Sequence, residues 1–118
     1  MYYLRKTVTI AAAHFLPDYN GDCRNIHGHN WKITVTCRGK DFAIGKEDCI
    51  LVDFAEIKRV VKSLDHSDKL LNEFINPPTA ENIAKYIYDM IPFCVQVEVE
   101  ETPGSVAIYN QDPQGRII

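Results

Sequence analysis

From Trp31 to Cys37 the chain alternates cleanly in a two-residue period, and that period points to a strand. Trp31, Ile33, Val35 and Cys37 fall on one parity, while Lys32, Thr34, Thr36 and Arg38 fall on the other. This is the pattern of a strand with one face toward a core and one toward water. His27 and His29 share the parity of the apolar residues. Without a bulge they stand side by side on the core face, because residues i and i+2 of a strand project the same way. A second alternating stretch, Lys6 to Ile10, predicts another strand running on to His14.

Two imidazoles on one strand face can reach a single ion, and His14 offers a third nitrogen. Three neutral nitrogens around zinc leave one tetrahedral position open, which is the catalytic rather than the structural arrangement. Cys23, close by, then reads as a base or nucleophile rather than a fourth ligand. An H-x-H pair alone is weak, since a single histidine is more often a surface or satisfied core residue. The grouping of His14, Cys23, His27 and His29 is what carries the expectation of a metal site.

The remaining pattern completes one small domain spanning residues 1–118. Asp53-Phe54-Ala55-Glu56 has the form of a capping box, followed by a helical stripe of Phe54, Ile57, Val60, Val61 and Leu64. Asn76-Pro77-Pro78 breaks the chain before a second helix that starts near Thr79, turns Ile83, Ile87 and Met90 or Ile91 inward, and stops at Pro92. Val95, Val97 and Val99 alternate with Gln96, Glu98 and Glu100 in a third strand. Glu101 has the parity of the valines, so a carboxylate falls on the apolar face. Thr102-Pro103-Gly104-Ser105 turns the chain into a fourth strand through Val106 and Ile108. The order ββααββ predicts an α+β fold, an antiparallel sheet with two helices on one face. Such a sheet has exposed edges, and no proline interrupts its strands, so assembly through sheet edges is plausible.

A net charge of −3 gives no reason to expect nucleic acid or an anionic membrane as a partner, although a local basic patch can still receive an anionic substrate. No apolar run approaches the ~18 residues of a membrane helix. The start Met-Tyr-Tyr-Leu-Arg-Lys passes directly into a strand pattern without the form of a signal peptide. The cysteines Cys23, Cys37, Cys49 and Cys94 contain no C-x-x-C pair. Reduced thiols and a cytoplasmic location are expected. Cys37, on an apolar strand face, reads as structural, and no motif surrounds Cys49 or Cys94.

The run F-L-P-D-Y-N-G-D-C-R-N-I-H-G-H-N-W, preceded by A-A-A-H, resembles the 6-pyruvoyl-tetrahydropterin synthase superfamily. The likeness continues through V-D-F-A-E-I-K, L-D-H, N-P-P-T-A-E-N and V-E-E-T-P-G-S-V-A-I-Y. These pieces follow the family's order over nearly the whole chain. Three residues separate Cys23 from His27, a spacing similar to the 6-carboxy-tetrahydropterin synthase group of the queuosine (7-deazaguanine) pathway. Biopterin-type pyruvoyl synthases typically place five there, and an aldolase group carries a glutamate instead of the cysteine.

The resemblance implies a tunnelling fold, in which subunits join their sheets into a barrel, commonly a homohexamer of two stacked trimers with active sites at subunit interfaces. It implies zinc on His14, His27 and His29, and 7,8-dihydroneopterin triphosphate as substrate. Cys23 matches the catalytic cysteine, and Asp65-His66 matches a second proton-handling unit. Without the resemblance, Asp65-His66 reads equally well as a helix C-terminus with a favourable histidine. Glu101 matches the anchor of the pterin ring, with zinc at the other end of the substrate. Thr79 and Glu81 match a P-T-x-E motif near the pterin pocket, yet they read as strongly as an N-cap and a first-turn acid. The implied activity is a zinc-dependent carbon–carbon lyase releasing 6-carboxy-5,6,7,8-tetrahydropterin, acetaldehyde and triphosphate. The alternatives are a pyruvoyl-type synthase that eliminates triphosphate, and an inert zinc- or pterin-binding module.

Overall fold

The computed structural model describes residues 1–21, 24–40, 51–65, 69–112 and 114. Four strands form one antiparallel sheet in sequence order: β1 (Tyr2–His14), β2 (His27–Gly39), β3 (Cys94–Thr102) and β4 (Ser105–Asn110). Two helices, α1 (Phe54–Lys62) and α2 (Ala80–Met90), lie between β2 and β3 in the chain. Helix α1 packs on β1 and α2 on β3 and β4, so both cover the same face of the sheet. The expected ββααββ order and α+β class are what the chain adopts. A short 3-10 turn at Leu71–Glu73 adds to it.

The core follows the parities. Val8, Ile10 and Ala12 of β1 and Trp31, Ile33, Val35 and Cys37 of β2 are buried against Ile57, Val60 and Val61 of α1 and Ile83, Ala84 and Ile87 of α2. Trp31 is fully buried, and its indole N–H donates to the Ala12 carbonyl at 3.1 Å. The opposite face stays polar, with Thr7 and Thr34 hydroxyls 3.0 Å apart across β1 and β2. No helix among the described residues is long and apolar enough to cross a membrane.

Three details differ from the sequence pattern, and the choice between Met90 and Ile91 is resolved. Phe54 opens α1 but remains 48% exposed, so the apolar stripe begins at Ile57. Asp53 caps the helix by accepting from the Ala55 amide at 2.8 Å, while Glu56 turns to the Arg59 guanidinium instead of closing a capping box. A charged partner one turn away outcompetes a neutral amide for that carboxylate. At the end of α2, Ile91 is buried and Met90 is exposed. In β3 a register shift opposite Thr36 and Cys37 puts Cys94 inward and leaves Val95 only half-buried.

The outer edge of β1 is tied down near its C-terminal end. Ala13 bridges to Leu70, and the Asn72 side chain bonds both the amide and the carbonyl of Phe15, at 3.1 and 3.0 Å. Lys62 Nζ donates to the Thr9 carbonyl at 3.0 Å. These contacts hold the strand end that carries His14.

Trp31→Phe removes one buried donor and part of a ring while keeping most of the volume. It is expected to cost roughly 1–3 kcal/mol of stability. Denaturant unfolding followed by circular dichroism measures this, since the chain has no other tryptophan to report by fluorescence.

Candidate metal centre

The register of β1 against β2 builds the centre. His14, the last residue of β1, lies opposite His27, the first of β2, and His29 follows on the same face. The three rings meet edge to face, with centroids 4.5 Å apart for His14–His27, 4.8 Å for His27–His29 and 5.2 Å for His14–His29. One ring nitrogen from each lies within 4.8 Å of the others. Trp31 forms the floor, its ring centroid 4.9 Å from that of His14 and 5.1 Å from that of His29.

The hydrogen bonds decide which nitrogens are available. A carbonyl can only accept, so the ring nitrogen facing it carries the hydrogen. His14 Nδ1 donates to the Pro78 carbonyl at 2.8 Å and His27 Nδ1 to the Asn25 carbonyl at 2.6 Å. Both rings therefore keep a bare Nε2, the tautomer that outer hydrogen bonds select in metal-ligating histidines. Nε2 of His14 and Nε2 of His29 are buried with no hydrogen-bond partner among the described residues. Each such orphan costs about 1–3 kcal/mol, and a cation accepting these lone pairs would remove that cost. Burial lowers the pKa of His14, against the Pro78 hydrogen bond that raises it. Burial likewise lowers that of His29, against the pull of the Glu101 carboxylate. Neutral imidazoles are the form that binds metal. The donor set fits an ion such as zinc, copper, iron or nickel.

Glu101 comes to the same place. Strand β3 runs beside β2 with Glu100 opposite Lys32, and an irregularity between Glu100 and Thr102 leaves Glu101 without a partner residue in β4. Its Oε1 lies 3.5 Å from His29 Nε2, a contact that does not satisfy hydrogen-bond geometry. The expectation that this carboxylate sits away from the histidines, at the far end of a substrate, therefore does not describe the chain by itself.

Asp65 follows α1 and accepts from Lys62 Nζ at 3.3 Å, the same ammonium that holds the Thr9 carbonyl. Asp65 and His29 line a pocket of about 360 Å³ whose other walls are small, among them Ala11–Ala13 and Gly28. Thr79 caps α2 by accepting from the Asn82 amide at 3.2 Å, and Glu81 is exposed in its first turn, as their helix-capping reading predicts. Thr79 also adjoins Pro78, the partner of His14. Cys23 and His66 lie outside the described residues, as does Cys49. Cys37 and Cys94 are buried and opposite one another at the other end of β2. Sequence reasoning missed Pro78, Asn25 and Lys62. The first two act through backbone carbonyls, which leave no mark in a sequence, while Lys62 stands one helical turn before Asp65.

Residues 3–112 match the family model described as 6-pyruvoyl tetrahydropterin synthase. A Bacillus subtilis protein named 6-carboxy-5,6,7,8-tetrahydropterin synthase is 33% identical over 95% of this chain and 87% of its own length. A Drosophila melanogaster protein named 6-pyruvoyl tetrahydrobiopterin synthase is also 33% identical, over 76% of this chain and 62% of its own. The structure of the Caenorhabditis elegans 6-pyruvoyl tetrahydropterin synthase shares the fold, with a TM-score of 0.70 at 23% identity, covering 94% of this chain and 96% of that one.

The histidines also make the metal-free chain sensitive to acid. The unfolded chain takes up protons as pH falls below the ordinary histidine value of 6.5, whereas the folded chain resists until lower pH because His14 and His29 are lowered. The stability they contribute is therefore complete above about pH 6.5 and lost as pH falls through their folded values. After chelation, the melting temperature is expected to fall below that pH more steeply in wild type than in His14→Asn.

Proposed function

The chain belongs to the 6-pyruvoyl tetrahydropterin synthase family and is a pterin synthase, and on that premise we propose that it converts 7,8-dihydroneopterin triphosphate to 6-carboxy-5,6,7,8-tetrahydropterin, acetaldehyde and triphosphate in the queuosine (7-deazaguanine) pathway. The observation that carries the reading is the cluster of three imidazoles at one end of the sheet, each offering a ring nitrogen within 4.8 Å of the others. The three-residue spacing from Cys23 to His27 favours the carboxy product over the pyruvoyl one.

In this reading His14, His27 and His29 hold zinc, which when bound supplies a Lewis acid for the substrate's side-chain hydroxyls. Cys23 is the base that takes a side-chain proton. A free thiol has a pKa near ~8.5 and needs a nearby cation or amide dipoles to act at neutrality. Asp65, steadied by Lys62, orients His66, which handles the second proton. Glu101 accepts the pterin's amino group and adjacent ring N–H together. Thr79 and Glu81 border the ring, in addition to their places as N-cap and first-turn acid of α2. The bond broken lies between the first two side-chain carbons. One water is consumed. The first carbon stays as the carboxyl, its second oxygen coming from that water. The other two carbons leave as acetaldehyde with triphosphate released, and electrons given up by the side chain reduce the dihydropterin ring to the tetrahydro level.

The protein works as a homohexamer of stacked trimers with sites between subunits. In support, β1 and β4 are the sheet's edge strands, and Val106 and Ile108 of β4 remain 48% and 42% exposed.

Incubation of the zinc-loaded protein with 7,8-dihydroneopterin triphosphate, followed by mass analysis, is expected to show carboxy-tetrahydropterin and acetaldehyde. A pyruvoyl product would place the chain in the other branch, and unchanged substrate would leave a binding module. Cys23→Ala is expected to keep its zinc while turnover falls by at least ~100-fold. His27→Ala is expected to lose the metal, read by elemental analysis.

A further inference from the structure

Glu101 lies against His29 without hydrogen-bonding to it. Its Oε1 is 3.5 Å from His29 Nε2, the nitrogen is buried, and no hydrogen bond forms between them. We propose that, before pterin binds, Glu101 is a fourth and displaceable ligand of the metal held by His14, His27 and His29, and that the pterin ring draws it away. This rests on the metal site and ring anchor of the proposed function.

The first argument is distance. Two donors on one tetrahedral zinc, each about 2.0–2.2 Å from the ion, stand roughly 3.4 Å apart. The 3.5 Å between Oε1 and Nε2 is that separation. The second is the absence of a competing bond. Co-ligands of one ion stand close without hydrogen-bonding to each other, and this pair forms no hydrogen bond. The third is freedom to move. The strand irregularity leaves Glu101 without a cross-strand partner in β4, and its side chain is 29% exposed at the rim of the site. Its neighbour Glu100 is occupied elsewhere, accepting from the Gly104 amide at 3.1 Å.

The two tasks exclude one another. A pterin presents its amino edge at one end of the ring system and its side-chain hydroxyls at the other. A single carboxylate cannot hold the amino edge and press against the metal at once. Ring binding therefore vacates the coordination position that the hydroxyls need. Linkage makes the effect reciprocal, so a pterin without a side chain must weaken metal binding through Glu101 by the factor by which metal weakens that pterin.

The test uses the whole 118-residue chain, with zinc affinity measured by chelator competition and the cobalt-substituted form followed by visible absorption. The probe is pterin itself, which has no side chain to reach the metal. In wild type, saturating pterin is expected to weaken zinc binding about 10-fold and to change the cobalt spectrum. Glu101→Gln is expected to lower zinc affinity by a similar factor without pterin, and to show no further response to it. Glu100→Gln, the control, is expected to match wild type. Wild-type zinc affinity and cobalt spectrum in Glu101→Gln would overturn the ligand assignment. Weakened zinc with unchanged pterin affinity in that variant would instead remove the ring-anchor reading, and with it the displacement. Retention of metal by His27→Ala would remove the metal site on which both stand.

Discussion

The pairing of β1 with β2 is the constraint on which the rest depends. The register puts His14 opposite His27 and Ala12 opposite His29. A slip of one residue would send every β1 side chain to the other face of the sheet. His14 would leave the cluster, and Val8, Ile10 and Ala12 would leave the core together. The same alternation thus specifies packing and the geometry of the histidine cluster, and neither can change alone. The Leu70 bridge, the Asn72 clamp on Phe15 and the Lys62 contact with Thr9 hold the strand end where that register matters most.

The histidine end of the sheet is where the fold departs from a purely apolar interior. The rings of His14 and His29 pack on Trp31, and the Nε2 of each has no hydrogen-bond partner among the described residues. Elsewhere the buried polar groups are better provided for; Gln96, fully buried, accepts from Asn110 at 3.1 Å. Local violations of the rule that buried polar atoms are bonded concentrate at functional sites. Glu101 sharpens the contrast, since it adds a carboxylate to the same corner.

Most of the architecture was legible because alternation and caps are local signals. Trp31 to Cys37 read directly as a two-faced strand, and Asp53 and Thr79 as helix starts. The parity of His27, His29 and Glu101 placed all three on the helix-covered face, where they are found. What the sequence hid is contact between distant segments. Nothing near Glu101 reveals that it lies against His29, because that depends on which strands become neighbours. Val95 was misplaced for a related reason: the register shift opposite Cys37 is decided by the pairing, not by the strand's own residues. Glu56 illustrates competition, since two partners were within reach and the charged one prevailed.

The support of His14 by the Pro78 carbonyl has a further consequence for how this site tolerates change. Every amino acid carries that acceptor, so no substitution at position 78 can delete it. Only a displacement of the backbone can. Position 78 is therefore permissive in chemistry and strict in geometry. Its importance would surface through insertions or deletions in the Asn76-Pro77-Pro78 segment, or through loosening of the Thr79 cap that seats the following helix. The orientation of an imidazole on the first strand is in this way answerable to the length of a loop 64 residues later.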